Sequence, residues 1–168
     1  RARQLHLTRR GDAEREPEAR RNIYEVTEEF SANGNPQPIR EDVVFLINGI
    51  PVLVVECKNA TKDEAIELGI EQIRRYHREA PDVMVPQQMF TATDSIGFSY
   101  GVTWNTARRG IFTWKHEQVG QLEAKVKTFF SIPQVLAFIK EYILFAERDG
   151  EIAKYVLRQH QTEAVERV

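Results

Sequence analysis

Cysteine is nearly absent from this chain of 168 residues: Cys57 stands alone. A single thiol excludes an internal disulfide and fits the reducing cytosol, so a cytoplasmic location is expected. The four histidines, His6, His77, His116 and His160, are scattered without the paired spacing of a zinc site. No apolar run approaches the ~20 residues a membrane-spanning helix needs, no secretory segment is present and no membrane partner is expected. No initiating Met is present, and the chain reads as a piece of something larger. It also lacks a G-x-x-x-x-G-K-(S/T) loop, the phosphate cradle of ATP hydrolysis, and so holds no motor of its own. An excess of positive charge is missing too. Lys and Arg number 23 against 25 Asp and Glu, giving a net charge of −2. Free-standing DNA-binding domains are usually basic, so DNA binding by this segment alone should be weak, with other parts or partner subunits holding the DNA. At 42% hydrophobic residues the chain fills one core, and one domain is the default.

What is present centres on the stretch from Glu41 to Asn59, EDVVFLINGIPVLVVECKN. Two apolar runs, Val43 to Ile47 and Val52 to Val55, flank Asn48-Gly49, a strong signal for a β-hairpin. Both strands are apolar on both faces, as in a strand covered on two sides, yet carry charge at the end away from the turn. Asp42 opens the first strand, and Glu56 and Lys58 close the second on one shared face. Whether Asp42 joins them depends on register. A plain two-residue loop sets Asp42 beside Val55 and turns it to the opposite face. A type I turn with Gly49 left-handed as a bulge places it opposite Val54 and diagonal to Glu56. A working acidic pair therefore requires a bulged or three-residue loop.

Two hard carboxylates and a lysine at one sheet edge suit phosphodiester hydrolysis. Asp42 and Glu56 can hold Mg²⁺, which prefers oxygen and keeps part of its water shell, and the Cys57 backbone carbonyl is a further candidate ligand. Lys58 can orient the attacking water and offset transition-state charge. The rival reading is a hairpin whose strand ends are merely charged. The Cys57 side chain should face the opposite, apolar side as a buried thiol.

Along the rest of the chain, residues 1–21 are rich in Arg and Glu and read as a loop or frayed end. Asn22 to Phe30 reads as a strand, with a helix as the alternative, and its Glu25, Glu28 and Glu29 are either a wet edge or the source of a further acid. Ser31 to Pro38 is a loop. Thr61 to Glu64 forms a T-x-x-E capping box for a helix that packs Ile66, Ile70 and Ile73 on the sheet and ends before Pro81. On it, Gln72 and Tyr76 share a side at the border of the isoleucine stripe. Arg74, Arg75, His77 and Arg78 are either partners of nearby acids or a phosphate patch. Val83 to Thr93 and Ile96 to Val102 read as strands, and Arg108-Arg109-Gly110 as a basic turn. Phe98, Tyr100, Trp104, Phe112 and Trp114 are suited to core packing more than to base stacking. From Gln118 the pattern is helical: Val126 to Phe130, Ile132 to Phe145 and Ile152 to Leu157, with a break at Arg148-Asp149-Gly150.

Asp42 followed by Glu56-Cys57-Lys58 resembles the PD-(D/E)xK nuclease motif, with Glu41 standing where the proline usually sits. DVVFLINGIPVLVVECKN resembles the nuclease-domain hairpin of the restriction (R) subunits of type I restriction-modification enzymes. Gln72 and Tyr76 resemble that group's Q-x-x-x-Y motif, Pro86 and Phe90 its P-x-x-F-type strand, here with three residues between them, and Trp114-Lys115 a W-K pair. Arg158 to Gln161 resembles the segment leading into the family's ATP-dependent motor. The resemblance implies an α/β fold with a central mixed β-sheet flanked by helices, restriction-endonuclease-like, with a C-terminal helical extension. Residues 1–117 would be the nuclease domain, 118–157 the extension and 158–168 the segment leading into an absent motor. It implies a Mg²⁺-dependent endonuclease acting on double-stranded DNA, with Asp42, Glu56 and Lys58 catalytic and 5′-phosphate and 3′-hydroxyl products. Gln72 and Tyr76 would brace the site or touch DNA, and Gln161 would read adenine in the full protein. ATP would act only through the missing motor, and methylation and specificity subunits would be partners. Two alternatives stand beside this: a different nuclease of the same fold, such as a junction resolvase or RecB-like exonuclease, and a catalytically idle DNA-docking or assembly module.

Overall fold

The computed structural model describes residues 3–4, 22–114, 120–148 and 150–167. Seven strands form one sheet in sequential order: β1 (Arg3–Gln4), β2 (Tyr24–Ala32), β3 (Ile39–Ile47), β4 (Ile50–Cys57), β5 (Met89–Thr93), β6 (Phe98–Val102) and β7 (Phe112–Thr113). All neighbours are antiparallel except β4 and β5, which run parallel. Parallel neighbours need a crossover, here helix α1 (Ala65–Glu79) and the short α2 (Pro81–Met84). Helices α3 (Leu122–Phe129) and α4 (Ile132–Ala137) follow, then a π-helical turn, Phe138–Tyr142. A separate hairpin of β8 (Ile143–Arg148) and β9 (Glu151–Val156) and helix α5 (Gln159–Val165) complete the chain.

The sheet is covered on both sides, which explains why its central strands read as unbroken apolar runs. On one face, Ile70, Ile73 and Tyr76 of α1 pack with Val44, Val54, Phe90 and Ala92. On the other, Leu53, Val55, Phe98, Tyr100 and Trp114 pack with Phe129, Phe138, Tyr142 and Val156. The aromatic residues named above are therefore mostly core, apart from Trp104, which is half exposed and meets the His77 ring edge-on at 4.9 Å.

Several local expectations are corrected. Glu64 sits at the N-cap of α1 in a left-handed conformation (φ +54°) with no side-chain cap bond, and the Thr61 hydroxyl donates to Asn59 Oδ1 instead. The T-x-x-E box is thus not formed: the helix begins at Ala65 with Glu64 at its N-cap, which leaves Thr61 three residues short of the capping position. Val83 to Thr93 is not one strand: Pro81 opens a helical turn, and the strand begins only at Met89. Ile152 to Leu157 is extended rather than helical, and the break before it is a hairpin turn containing Gly150 (φ +80°). Residues 1–21, apart from Arg3 and Gln4, lie outside the described residues, and so does Lys115 of the W-K pair.

Candidate active site

The motif hairpin solves its register in a way the sequence did not suggest. Asn48 and Gly49 both have positive φ (+54° and +77°), the mark of a two-residue type I′ turn. Near the turn, Ile47 pairs with Ile50 and Leu46 with Pro51. The register then shifts between Phe45 and Leu46, so that Phe45 faces Leu53 and Val43 faces Val55. Val52 is the extra residue, and Val52 and Leu53 both enter the same core cluster, as consecutive residues at a β-bulge can. One further step along this register brings Asp42 level with Glu56. The bulge that a working acidic pair requires is present, but it lies in β4 rather than at Gly49. Asp42 accordingly sits across from Glu56, not across from Val54.

A second irregularity lies on the other side of β3. Its ladder with β2 pairs Glu28 with Val43 and then Phe30 with Glu41, skipping Glu29 (φ +51°) and Asp42. Ile39 and, further on, Val44 and Leu46 all belong to the α1 face. The in-out alternation therefore changes phase between Glu41 and Val44. Freed from the ladder, Asp42 extends toward β4, where its Oδ2 accepts the Cys57 N–H at 2.8 Å.

Lys58 ties the cluster together. Its Nζ donates to Glu56 Oε2 and to Gln72 Oε1, each at 2.8 Å, and lies 3.7 Å from Asp42 Oδ2. An ammonium has three donors and 3.7 Å is too long for a hydrogen bond, so among the described residues one N–H has no partner. Gln72 Nε2 donates to the Tyr76 hydroxyl at 2.5 Å. That hydroxyl also reaches the Arg40 carbonyl and, at 3.1 Å, Glu56 Oε1. Helix α1 can bring Gln72 and Tyr76 this close because residue 69 is glycine. A Cβ there would stand 2.9 Å from the Ala92 Cβ, with Glu56 Cβ at 3.6 Å and Lys58 Cγ at 3.7 Å.

Burial sets the electrostatics. Glu56 is fully buried, and desolvation raises its pKa to about 7 against the lowering pull of Lys58. Neutral Glu56 can donate its proton to Tyr76, whose own proton then goes to Arg40. Burial raises Tyr76 far above the usual phenol range, so it stays protonated.

One functional candidate was missed. Glu41 is also fully buried, and both its oxygens lie 2.8 Å from Nε2 of buried Gln87. Its pKa is raised to about 7, chiefly by desolvation, with Glu56 adding to the rise. Strict alternation would have turned Glu41 away from Asp42, and only the phase change in β3 defeats that rule. The Gln87 Oε1 is buried without a hydrogen-bond partner.

Other candidates are placed elsewhere. Cys57 is exposed, not a buried core thiol, because it ends the strand beyond the reach of the aromatic core. Glu29 pairs at 3.7 Å with Arg40 on the surface and takes no part in the cluster. Arg74 pairs with Glu67 and Glu71 and donates to the Thr106 carbonyl, and Arg75 pairs with Glu79. His77 donates from Nδ1 to Ile73 and accepts the Trp104 N–H at Nε2, a neutral tautomer. The carboxylate-partner reading therefore holds for Arg74 and Arg75. Gln161 lies exposed on α5, its Oε1 accepting the Arg158 N–H at 2.8 Å. Among the described residues no group of three or more His, Cys, Asp or Glu side chains is arranged to hold a metal. A cation here would depend on two carboxylates, main chain and water.

A mixed sheet whose central hairpin ends in two acids and a lysine, backed by a crossover helix that braces them, defines an α/β fold of the restriction-endonuclease-like class. The sequence model for the type I restriction enzyme R protein N terminus matches residues 4–109, and the chain belongs to that family. It is 27% identical over 158 residues to a putative type I restriction enzyme MjaVIIP endonuclease subunit of Methanocaldococcus jannaschii, covering 84% of this chain and 14% of that protein. A second protein of that archaeon, the putative MjaVIIIP endonuclease subunit, is 29% identical over 153 residues, covering 88% and 15%. The SauCOLORF180P endonuclease subunit of Staphylococcus aureus strain COL is 26% identical over 152 residues, covering 87% and 16%. The chain thus spans about a seventh of the length of these curated relatives. No helix among the described residues is long and apolar enough to cross a membrane.

Proposed function

We propose that this chain is the Mg²⁺-dependent endonuclease domain of a type I restriction subunit, hydrolysing phosphodiester bonds of double-stranded DNA. The observation that carries the reading is the convergence of Asp42, Glu56 and Lys58, with Lys58 Nζ 2.8 Å from one carboxylate and 3.7 Å from the other. The names of the relatives support the same activity.

The donor set fits Mg²⁺, which commonly binds through one or two carboxylates and retains several waters. Asp42, Glu56 and the Cys57 carbonyl would hold it. When bound, the ion supplies Lewis-acid stabilisation of charge on the phosphate. A cation beside Glu56 favours its ionised form, so loading the site should release a proton. Lys58 orients the attacking water with its third N–H and offsets charge that develops on the phosphoryl oxygens. Gln72 fixes the lysine, and Tyr76 fixes both Gln72 and Glu56, so the pair are positioning residues. Hydrolysis leaves 5′-phosphate and 3′-hydroxyl ends. In the longer protein, cutting follows ATP-driven translocation by a motor outside this chain, within a cytoplasmic assembly with methylation and specificity subunits.

The test is Lys58→Ala and, separately, Glu56→Ala in the full-length protein. Each should lower cleavage by a factor of at least about 10² to 10³ while ATP-driven translocation continues. Cleavage at the wild-type rate in either variant contradicts the assignment.

A further inference from the structure

A second cluster of cations lies away from the acid-lysine centre. The 3₁₀ turn Arg108–Gly110 leads into edge strand β7, and the start of α5 comes up beside it. Between them opens a cleft of about 630 Å³ whose lining includes Arg108, Arg109, Phe112, Arg158, His160 and Glu163. Arg158 is held over the Phe112 ring, its guanidinium carbon 5.0 Å from the centroid. That contact is a cation–π pair that covers one face of the ring. Arg108 is balanced by Glu67 at 3.0 Å. Among the described residues no carboxylate pairs with Arg109 or Arg158. Glu163 is occupied by Gln159, which donates to it at 2.8 Å. Two exposed guanidiniums thus face a polar cleft, in a chain whose net charge is −2.

The position of the cleft matters as much as its charge. Arg108 is tied to Glu67 in the first turn of α1, and two residues on, Gly69 is the point at which that helix touches Glu56 and Lys58. Strand β7, whose residues line the cleft, lies three places from β4 in the sheet, so the basic cleft stands on the order of 14–15 Å from the acid-lysine centre. A DNA duplex carries a charge every ~1.7 Å along its axis. A backbone engaged at Lys58 therefore presents further phosphates at this distance, and the guanidinium fork matches phosphate oxygens.

We propose that Arg109 and Arg158, with His160 beside them, form a backbone-phosphate contact that holds duplex DNA flanking the scissile bond. The proposal rests on the endonuclease reading for its choice of DNA as the phosphate source. It gives the chain a local way to grip a polyanion despite its overall negative charge. The contact is to phosphate, so it positions the duplex and carries no base specificity.

The test uses the full-length protein with a benzophenone-bearing residue in place of Arg109, irradiated with end-labelled duplex DNA, and with the same replacement at exposed Lys127 on α3 as the control. Crosslinking at position 109 and not at 127 is the expected result. In parallel, the double variant Arg109→Gln with Arg158→Gln should raise the KM for DNA several-fold with kcat retained. It should also lower the slope of log affinity against log salt by up to about 1.8, about 0.9 per lost contact. Labelled ATP captured at position 109 in place of duplex overturns the choice of DNA. No crosslink at 109 combined with an unchanged salt slope overturns the site altogether. Lys58→Ala separates this from the reading beneath it: cleavage that survives Lys58→Ala removes the nuclease centre whatever position 109 does, while cleavage lost there with no crosslink at 109 removes only the cleft.

Discussion

The two faces of the sheet solve different problems. On the side away from α1, Phe129 meets Phe98, Tyr100, Trp114 and Phe138 at ring-centroid distances between 5.1 and 5.4 Å, and the cluster is nearly free of charge. On the α1 side, the apolar contacts of Ile70 and Ile73 surround two fully buried glutamates, a buried glutamine and a mostly buried lysine. Burying carboxylates costs free energy unless they are well paired, and the raised pKa of Glu41 and Glu56 shows that cost. The contrast teaches that the aromatic face carries stability while the α1 face trades some of it for a preorganised polar cluster.

The comparison breaks most sharply at Phe129. Phe129→Ala should lower unfolding free energy by ~3–5 kcal/mol, read by urea denaturation of the 168-residue chain. A loss below about 1 kcal/mol would mean that this face does not carry the fold.

Glu41→Gln should act in the opposite direction. A carboxyl whose pKa is raised by folding contributes most below its unfolded value, and that contribution declines as pH rises through about 7. In metal-free buffer the wild type should therefore lose stability between pH 4.5 and 7. The amide at position 41 removes the Glu41 share of that decline, leaving the share of Glu56, and offers N–H to Gln87 Oε1, which has no partner among the described residues. Thermal unfolding at pH 7.5 should show a gain on the order of 1–3 kcal/mol. Equal pH profiles for variant and wild type would show that Glu41 is not held in this way.

Gly69→Ala sharpens the contact between helix and site. The added methyl meets Ala92 at 2.9 Å, so the gain in helix propensity of ~1 kcal/mol should be outweighed by overpacking of ~1–3 kcal/mol. Cleavage should fall further than stability, since Gln72 and Tyr76 move with the helix. Unchanged cleavage in the full-length protein would count against their bracing role.

The smallest effect belongs to Lys154, whose pKa burial lowers to about 8 and whose Nζ donates to Thr103 at 3.2 Å. The unfolded chain binds this proton more readily, so wild-type stability should rise as pH climbs from about 8 toward the usual lysine range. Lys154→Met should flatten that rise, by about 1 kcal/mol across pH 8 to 9. A slope that persists in the variant assigns it to another group.

Much of this site could be read in advance because its signals are local. Asn48-Gly49 between β-branched runs announced the hairpin, and the spacing of Ile66, Ile70 and Ile73 announced α1 with Gln72 and Tyr76 on a shared side. Features set by distant contacts could not be read so well. The bulge at Val52 and the gap at Glu29 decide where Asp42 and Glu41 point, and both arise from how three strands fit together. Ile143 to Leu157 misled for another reason: short apolar runs carry no period long enough to separate strand from helix. The capping box failed because the helix starts late, with Glu64 rather than Thr61 at its N-cap.

Calorimetric titration of Mg²⁺ into the 168-residue chain, wild type against Asp42→Asn, tests the central claim most directly. Saturable one-site binding that weakens at least about tenfold in the variant, equivalent to ~1.4 kcal/mol, is the predicted result. Equal affinity in the two proteins would contradict a metal site built on Asp42 and Glu56.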